Sequence, residues 1–355
     1  SASRQVDAMQ SWHQPQGNQI LPQALAEFSH TDAVVTANLL ASGEPGVFRG
    51  IVADWPVVAA AQNGNDAALA WLRQSLAPGE IAFVEAPPEQ HGRFHYAEDL
   101  RSFTFQKRRA SAHAFLDELA GELASTTPRA LAAQGILASS AAPAFEAAHP
   151  LPIRPGPGEI RLWIGNRARV AAHCDPADNI AYCAVGRRRF TLFAPEQVGN
   201  LYLGPFDPTP AGTPIAMADP VSPDFARYPR FAAALESAWT VELEPGDAVF
   251  IPYGWYHHVE ALSPISMLVN YWWNDGVRGA DSAWDVLLHA MLALRPLHPR
   301  ARRHWAAMLV HYGLEPDGPA GEHLPPHARG VLDARAPQDL AAMRAALLRN
   351  LSRSG

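Results

Sequence analysis

Two histidines and one aspartate in this sequence have the types and spacing of a metal site. His173 and Asp175 are two residues apart, and His257 lies far downstream. Two imidazoles and one carboxylate are the donor set that holds non-haem Fe(II) and leaves coordination positions open for a cosubstrate and oxygen. His258 is an alternative third ligand on the same criterion. The pattern therefore predicts a mononuclear iron site.

These residues are predicted to lie on strands of a β-barrel. His173 and Asp175 would leave the same face of a strand, because alternate side chains do, and Cys174 would then point to the other face. Four apolar stretches read as strands around the site, and they are 179–185, 187–193, 248–252 and 265–272. The expected fold class is mainly β with α, a double-stranded β-helix of the jelly-roll or cupin kind with flanking helices.

Arg188 is predicted to be a cation that points into this barrel. Arg188, Phe190 and Leu192 share one face of their strand, and the two apolar side chains make that face the inward one. A lone cation among inward apolar residues needs an anion, and the guanidinium group can bind a carboxylate through two parallel hydrogen bonds. The sequence therefore predicts a carboxylate-binding position inside the barrel.

A wider set of motifs resembles the JmjC/cupin-type Fe(II)- and 2-oxoglutarate-dependent oxygenases. Their order and spacing are most similar to the subgroup that contains the factor-inhibiting-HIF asparaginyl hydroxylase, over roughly residues 160 to 275. The motifs are His173-Cys174-Asp175, Asn179, Gly186-Arg187-Arg188-Arg189-Phe190, Pro245-Gly246-Asp247, Trp255-Tyr256-His257-His258 and Val269-Asn270-Tyr271-Trp272.

The resemblance implies a role for each residue that matches the family pattern. His173, Asp175 and His257 are the expected iron ligands, with His257 preferred over its neighbour because the family ligand follows the tryptophan by two residues. Asn179 and Asn270 are expected in the pocket beside the metal.

Three positions depart from the family pattern in the expected cosubstrate pocket. Arg188 stands where the family has a lysine that pairs with the distal carboxylate of 2-oxoglutarate, while Val170 and Leu131 stand where it has a threonine and a tyrosine. Each lost hydroxyl would remove a hydrogen bond worth on the order of 1 kcal/mol.

The function implied by the resemblance is hydroxylation of a protein or peptide side chain, with Fe(II) as cofactor and 2-oxoglutarate and O2 as cosubstrates. Demethylation and a small-molecule substrate stay open at this stage. Two other kinds of protein also fit the residues: a metal-binding cupin with a different small-molecule chemistry, and a non-catalytic dimeric interaction module.

The bulk properties exclude some partners. The chain has 355 residues and a formal net charge of -7, which gives no field that would attract nucleic acid or an anionic membrane surface. Two cysteines are too few for a disulfide framework, and no apolar run is as long as the ~18 residues of a membrane span. A reducing, cytoplasmic location is expected.

The expected domain organisation has three parts. Residues 1–30 form an irregular lead-in, 31–278 the barrel domain with N-terminal α/β elements, and 279–355 a C-terminal helical region. The last part shows apolar residues at helical spacing in three stretches. The resembling family dimerises through its C-terminal helices, so a homodimer is expected, although such stripes more often fold onto their own chain.

Two loops and one histidine complete the expectations. Residues 137–158 are expected to form a covering loop, and 199–238 either the rim of the substrate site or a surface excursion. His95, between aromatic residues, is expected to be a packed or hydrogen-bonded side chain rather than a ligand.

Overall fold

The structure is a computed structural model that describes residues 22–29, 32–210, 212–274, 282–333 and 337–352. The chain separates into two compact units, Ser1–Asp275 and Gly276–Gly355. Most of the expected lead-in and the expected domain boundary at 278/279 lie outside the described residues.

The first unit is built from short strands with helices between them. Its strands are β1 (Gln23–Ala24), β2 (Gly46–Phe48), β3 (Glu80–Ala86), β4 (Arg93–Phe94), β5 (Gln106–Ser111), β6 (Ala130–Leu137), β7 (Gly158–Gly165), β8 (Arg169–His173), β9 (Asp178–Val185), β10 (Arg188–Phe193), β11 (Trp239–Leu243), β12 (Ala248–Ile251), β13 (Tyr256–Ala261) and β14 (Ser266–Trp273). Its helices are α1 (Ala33–Ser42), α2 (Pro56–Ala61), α3 (Asn65–Ser75), α4 (Ala112–Leu123), α5 (Ala138–Ala141), α6 (Phe145–Ala148) and α7 (Phe231–Glu236).

The strands form two sheets that make the expected jelly-roll barrel. The six-stranded sheet has the order β1-β11-β10-β13-β8-β4, and the eight-stranded sheet has the order β2-β12-β9-β14-β7-β6-β3-β5. Within them, β11-β10-β13-β8 and β12-β9-β14-β7 pair antiparallel throughout. Four strands from each sheet thus form a double-stranded β-helix of the cupin type.

The barrel interior is filled by alternate residues of these strands. Phe190 and Leu192 of β10 lie there, as the period of two predicted, and they pack with Leu268 of β14. The neighbouring residue Val269 points to the other face and joins a larger core. One face of the eight-stranded sheet therefore lines the barrel, and the other lies against the helices.

The larger core lies between the eight-stranded sheet and α2, α3 and α4. It includes the fully buried side chains of Trp55, Leu72 and Phe115. Within 137–158, which was expected to be a loop, α6 packs the ring of Phe145 edge-on against Trp55. This stretch therefore covers the core as predicted, but with two short helices in it.

Two further segments of the first unit differ from their expected structure. The described part of the lead-in is not irregular throughout, because β1 pairs in parallel with β11 and extends the six-stranded sheet. The 199–238 stretch contains α7, whose Phe231 and Leu235 side chains are buried in a small hydrophobic core together with Phe193 of the barrel. An insertion packed in this way has a fixed position on the six-stranded sheet.

The second unit contains three amphipathic helices at the predicted positions. They are α8 (Ala283–Leu294), α9 (Pro299–Leu309) and α10 (Pro337–Ser352). None of the side chains described in these helices is buried. Across the described part of the chain, no helix is both long and apolar enough to span a membrane.

Candidate metal centre

His173, Asp175 and His257 come together at one end of the barrel, which we call the mouth. Each offers a ligand atom, and these atoms lie within 4.8 Å of one another. His173 is the last residue of β8 and pairs directly with His257 of β13, so that their ring centroids are 4.4 Å apart. The His257 Nε2 and Asp175 Oδ2 atoms are 3.5 Å apart. Three donors at these distances can share one metal ion.

Backbone carbonyls fix the orientation of both imidazoles. His173 Nδ1 lies 2.9 Å from the carbonyl oxygen of Ala171, and His257 Nδ1 lies 3.1 Å from that of Trp255. A carbonyl oxygen only accepts, so each Nδ1 carries the proton and donates it. Each Nε2 is thereby left with its lone pair free, which is the usual arrangement of histidine ligands to metals.

Burial keeps the His257 ring neutral. Removal from water, and after it the nearby ring of His173, lower its pKa to about 4, although Asp175 opposes the shift. A neutral imidazole is the form that binds a metal ion. The Nε2 atom of His257 is therefore available to a metal ion at neutral pH.

Asp175 reaches the group from a turn, not from the strand predicted for it. Strand β8 ends at His173, and Pro176 follows the aspartate. Proline cannot donate a ladder hydrogen bond, which ends the strand before it. The Asp175 carbonyl instead accepts a hydrogen bond from Gly254 N at 3.3 Å, so the turn is tied to the loop that precedes His257.

His258 points away from the metal group. It lies on the opposite face of β13, where its Nε2 is 4.0 Å from Asp219 Oδ1, and Asp219 also pairs with Arg93 at 3.2 Å. This cluster fixes the 199–238 insertion to the outer face of the six-stranded sheet. His95 lies beside it with its Nε2 3.2 Å from the carbonyl oxygen of Ala216, the packed arrangement that was expected.

Arg188 is a buried cation inside the barrel. Its Nη2 donates to the carbonyl oxygen of Trp163 at 3.3 Å and to Ser266 Oγ at 3.1 Å, while its Nε has no acceptor among the described residues. No carboxylate of the described ranges lies within 4.0 Å of the guanidinium group. Burial lowers the pKa of Arg188 to about 10, so the group stays protonated at neutral pH.

A small cavity of about 20 Å³ borders Arg188 and receives side chains from both sheets. Val170 and Val259 line it from the six-stranded sheet, and Ser266 and Gln134 line it from the eight-stranded sheet. Leu131 does not line this cavity but packs in the core beneath the helices. The position expected to hold a pocket hydroxyl is thus shifted along β6, and its cavity-lining neighbours are Ala132, Ala133 and Gln134.

Asn179 and Asn270 lie next to each other near the mouth. Asn270 Nδ2 donates to Asn179 Oδ1 at 2.8 Å, and Asn270 Oδ1 has no donor among the residues described. Both side chains are buried. The structure thus brings both predicted pocket residues together at the start of β9 and the end of β14.

Ser266, Trp163 and Gln134 line the Arg188 cavity but were not identified from the sequence. Ser266 is four residues before Asn270 on β14, so the period of two that orients Asn270 inward also orients Ser266 inward. The same count along β7 would have found Trp163. Gln134 gives no such signal, because the sequence of β6 does not alternate between apolar and polar residues.

Comparison with known proteins gives a family match and several distant relatives. A family model described as a cupin-like domain matches residues 32–278. HSPB1-associated protein 1 of Homo sapiens is 34% identical over 116 residues, which are 32% of this chain and 23% of that protein. Lysine-specific demethylase JMJ31 of Arabidopsis thaliana is 32% identical over 116 residues, or 32% of this chain and 20% of that protein.

A third relative is similar over a longer stretch. The tRNA wybutosine-synthesizing protein 5 of Gallus gallus is 36% identical over 166 residues, which are 42% of this chain and 46% of that protein. In all three comparisons, this chain spans less than half of the relative's length.

Proposed function

Because this chain belongs to the cupin-like domain family, we propose that it is an Fe(II)- and 2-oxoglutarate-dependent oxygenase that hydroxylates a side chain of a protein or peptide. The observation that carries this proposal is Arg188, a buried guanidinium group without a carboxylate partner among the described residues, in the same barrel as the metal group. A buried charge needs a counter-ion. The distal carboxylate of 2-oxoglutarate would supply it.

The metal group suits Fe(II). His173, Asp175 and His257 offer two imidazole nitrogens and one carboxylate oxygen within 4.8 Å of one another, which is the donor set of a non-haem Fe(II) site. When bound, the iron would supply the oxygen-activating chemistry that couples decarboxylation of 2-oxoglutarate to hydroxylation of a carbon atom.

The protein's own contribution is to bind, orient and shield the reactants. Arg188 and Ser266 would hold the distal carboxylate, and the carbonyls of Ala171 and Trp255 keep the metal-binding nitrogens aimed at one point. Apolar residues such as Leu192 of the barrel interior exclude water from this region. Exclusion of water strengthens each charged contact.

Arginine in place of lysine changes the geometry of the carboxylate contact. A lysine presents one ammonium point charge, whereas Arg188 presents a planar fork that can bind both carboxylate oxygens. The unpartnered Nε and the Nη groups provide that fork. Ser266 provides a hydroxyl in the pocket, where Val170 stands at the family's threonine position and cannot.

The choice of a polypeptide substrate rests on the resemblance to the asparaginyl hydroxylase subgroup. The relatives carry names that refer to lysine demethylation and to a modified tRNA base. The net charge of -7 offers no attraction for nucleic acid. We therefore favour a protein or peptide, with hydroxylation as the reaction.

The cosubstrate assignment is tested by replacing Arg188. Binding of 2-oxoglutarate to protein loaded with Mn(II), which binds without turnover, would be measured by calorimetry. We expect Arg188→Met to weaken binding by at least about tenfold, because charge-assisted hydrogen bonds are lost. Arg188→Lys, which matches the family, should retain most of the affinity. Equal affinity in wild type and Arg188→Met would contradict the assignment.

The C-terminal unit favours a homodimer. Its helices expose large apolar side chains, among them Leu292 at 70% and Leu348 at 66%, with none of their described residues buried. Exposed apolar stripes of this kind mark interaction surfaces. A second copy of this chain is the partner that the family resemblance supports.

A cytoplasmic location is supported by the cysteines. Cys174 and Cys183 are both free, and burial raises the pKa of each thiol. Free thiols persist in reducing compartments.

A further inference from the structure

A row of polar side chains lies between the Arg188 cavity and the barrel mouth, and the proposed function does not use it. Arg161 of β7 lies opposite Asn270 of β14, and Glu159 lies opposite Trp272. Trp163, which lines the Arg188 cavity, is two residues further into the barrel than Arg161. Two residues of a strand span about 7 Å. Arg161 therefore stands about that distance nearer the mouth than the cosubstrate pocket.

The guanidinium group of Arg161 is held from three sides. Its Nη1 donates to the carbonyl oxygen of Gly135 at 3.1 Å, and its Nη2 donates to Glu159 Oε2 at 2.6 Å. The ring centroid of Trp272 lies 5.1 Å from the guanidinium carbon. Gly135 has a φ of +65°, a conformation that brings its carbonyl to the arginine and that glycine adopts without strain. The cation is thus fixed before any ligand arrives.

Three buried N–H groups in this region have no acceptor among the described residues. They are Arg161 Nε, Trp163 Nε1 and Trp272 Nε1, and the two indole rings lie 6.3 Å apart. A buried donor without an acceptor destabilises the protein. All three groups are donors, so each of them lacks an acceptor. A carboxylate accepts only, and it pairs best with a guanidinium group.

We propose that Arg161 and Trp272 bind a carboxylate of the substrate, so that the enzyme acts on an acidic group presented at the barrel mouth. That group is either an aspartyl or glutamyl side chain of a polypeptide or a small carboxylic acid. As a statement about the substrate, the inference rests on the proposed function. The carboxylate contact itself requires neither metal nor 2-oxoglutarate.

Glu159 sets the strength of this contact. Its side chain is 57% exposed and already pairs with one edge of the Arg161 guanidinium group. An incoming carboxylate would share the cation with it, so Glu159 lowers the affinity for acids.

The test measures binding of matched acidic and neutral probes. N-acetyl-aspartic acid α-amide and its neutral isostere N-acetyl-asparagine α-amide would be titrated against full-length protein that holds Mn(II) and saturating 2-oxoglutarate, with tryptophan fluorescence as the readout. We expect the acidic probe to bind about tenfold more tightly or better. Arg161→Gln should abolish that preference, and Glu159→Gln should increase it several-fold.

Several results would overturn the inference. They are equal binding of the two probes, a preference that survives in Arg161→Gln, or a weaker preference in Glu159→Gln. Circular dichroism would check that Arg161→Gln folds, and if it does not, the sign of the Glu159→Gln effect decides. A ten-residue peptide of glycine and alanine with one aspartate distinguishes a polypeptide substrate from a small carboxylic acid. Tighter binding of this peptide than of N-acetyl-aspartic acid α-amide would indicate a polypeptide, and equal binding would indicate a small acid.

Failure of this inference is distinguishable from failure of the proposed function. Protein that binds 2-oxoglutarate but shows no acidic preference overturns only the inference. Protein that shows the preference but never binds 2-oxoglutarate contradicts only the proposed function.

Discussion

Each imidazole of the candidate metal group leaves its Nε2 nitrogen available to a metal because its Nδ1 nitrogen faces a backbone carbonyl. The carbonyls of Ala171 and Trp255 are two residues before His173 and His257, so the same short geometry recurs on both strands. Asp175 adds the negative charge that a divalent ion requires. At this scale, the site depends on one charge and two fixed rings.

Removal of the carboxylate charge should weaken metal binding. Asp175→Asn keeps the size of the side chain but replaces an ionised ligand with a neutral one, and we expect Fe(II) and Mn(II) affinity to fall by at least about tenfold. Anaerobic calorimetry would measure this. His258→Asn is the control, because His258 faces the other side of β13 and its replacement should leave metal affinity intact. Equal metal affinity in Asp175→Asn and wild type would remove Asp175 from the site.

Ser266 should contribute to cosubstrate binding through Arg188. Its Oγ accepts a hydrogen bond from Arg188 Nη2 at 3.1 Å. Without the hydroxyl, Nη2 keeps only its longer hydrogen bond to the carbonyl oxygen of Trp163. We expect Ser266→Ala to reduce 2-oxoglutarate affinity by roughly fivefold, which corresponds to about 1 kcal/mol. Calorimetry with Mn(II)-loaded protein would test this. An unchanged 2-oxoglutarate affinity in Ser266→Ala would show that Ser266 does not contribute to cosubstrate binding.

The inward direction of Arg188 followed from the sequence, whereas the positions of Asp175 and Leu131 did not. Arg188 lies inside a strand, where the period of two decides the face. Asp175 lies beyond a strand end set by Pro176, and the path of a turn depends on its tertiary contact with Gly254. Leu131 lies in β6, whose sequence shows no alternation of apolar and polar residues, so the face on which Leu131 lies could not be predicted.

At the scale of elements, a buried histidine, His149, lies among three aromatic rings next to α6. His149 stacks on Phe145 with ring centroids 4.1 Å apart and lies edge-on to Trp55 and Trp71. Its Nδ1 is 2.8 Å from the carbonyl oxygen of Phe145, while its Nε2 has no partner in the described part of the chain. Burial lowers its pKa below the ordinary 6.5.

Acid should therefore weaken this part of the fold through His149. The unfolded chain takes up a proton near pH 6.5 and the folded chain only at lower pH, so stability is complete above pH 6.5 and falls as the pH drops toward the folded pKa. Between pH 7.5 and 5, His149→Phe should lose less unfolding free energy than wild type in urea titrations. The exposed His327→Gln is the control and should behave as wild type does. Identical pH dependence in all three would contradict the account.

The 199–238 insertion should loosen when its anchor is removed. The Asp219 side chain is only 9% exposed and pairs with Arg93, and Arg169 lies 3.9 Å away, so Asp219→Ala leaves arginines beside the sheet without a counter-charge. We expect a loss on the order of 2 kcal/mol, which allows for the partial exposure of Arg93. Urea unfolding would measure it against Glu236→Ala, an exposed change in the same insertion. A loss no larger than that of Glu236→Ala would contradict the role of Asp219.

Strands with continuous apolar runs were predictable, and strands with polar faces were not. The sequences of β9 and β14 are recognisable as strands, because both faces of each strand are buried and most of their residues are apolar. Strand β5, with Lys107-Arg108-Arg109, reads as an exposed segment, yet it pairs with β3, where Arg108 meets Glu85. Such a strand owes its structure to a partner distant in sequence, which no local pattern reveals.

At the scale of the whole molecule, periodicity predicted the three C-terminal helices but not what covers them. A spacing of 3.6 residues fixes the direction of an apolar stripe, and the stripe alone does not identify its partner. Leu292 and Leu348 are exposed in the single chain, so the surface that covers them has to come from a binding partner.

The proposed homodimer predicts a mass of twice the 38.5 kDa chain in light scattering after size exclusion. Leu292→Glu combined with Leu348→Glu places charges on the apolar stripe and should shift the protein to the monomer mass. Val34→Glu, an equally exposed apolar position on α1 of the first unit, is the matched control and should remain dimeric. A wild-type protein that is monomeric at all concentrations would contradict the proposal.

The most direct test of the proposed function is the visible absorption of the purified protein with Fe(II) under anaerobic conditions, before and after addition of 2-oxoglutarate. We expect a charge-transfer band that appears only when 2-oxoglutarate is added and that is lost in His257→Ala. Metal binding without such a band would contradict the oxygenase assignment and favour another cupin chemistry. Absence of metal binding would contradict an enzymatic role for the site altogether.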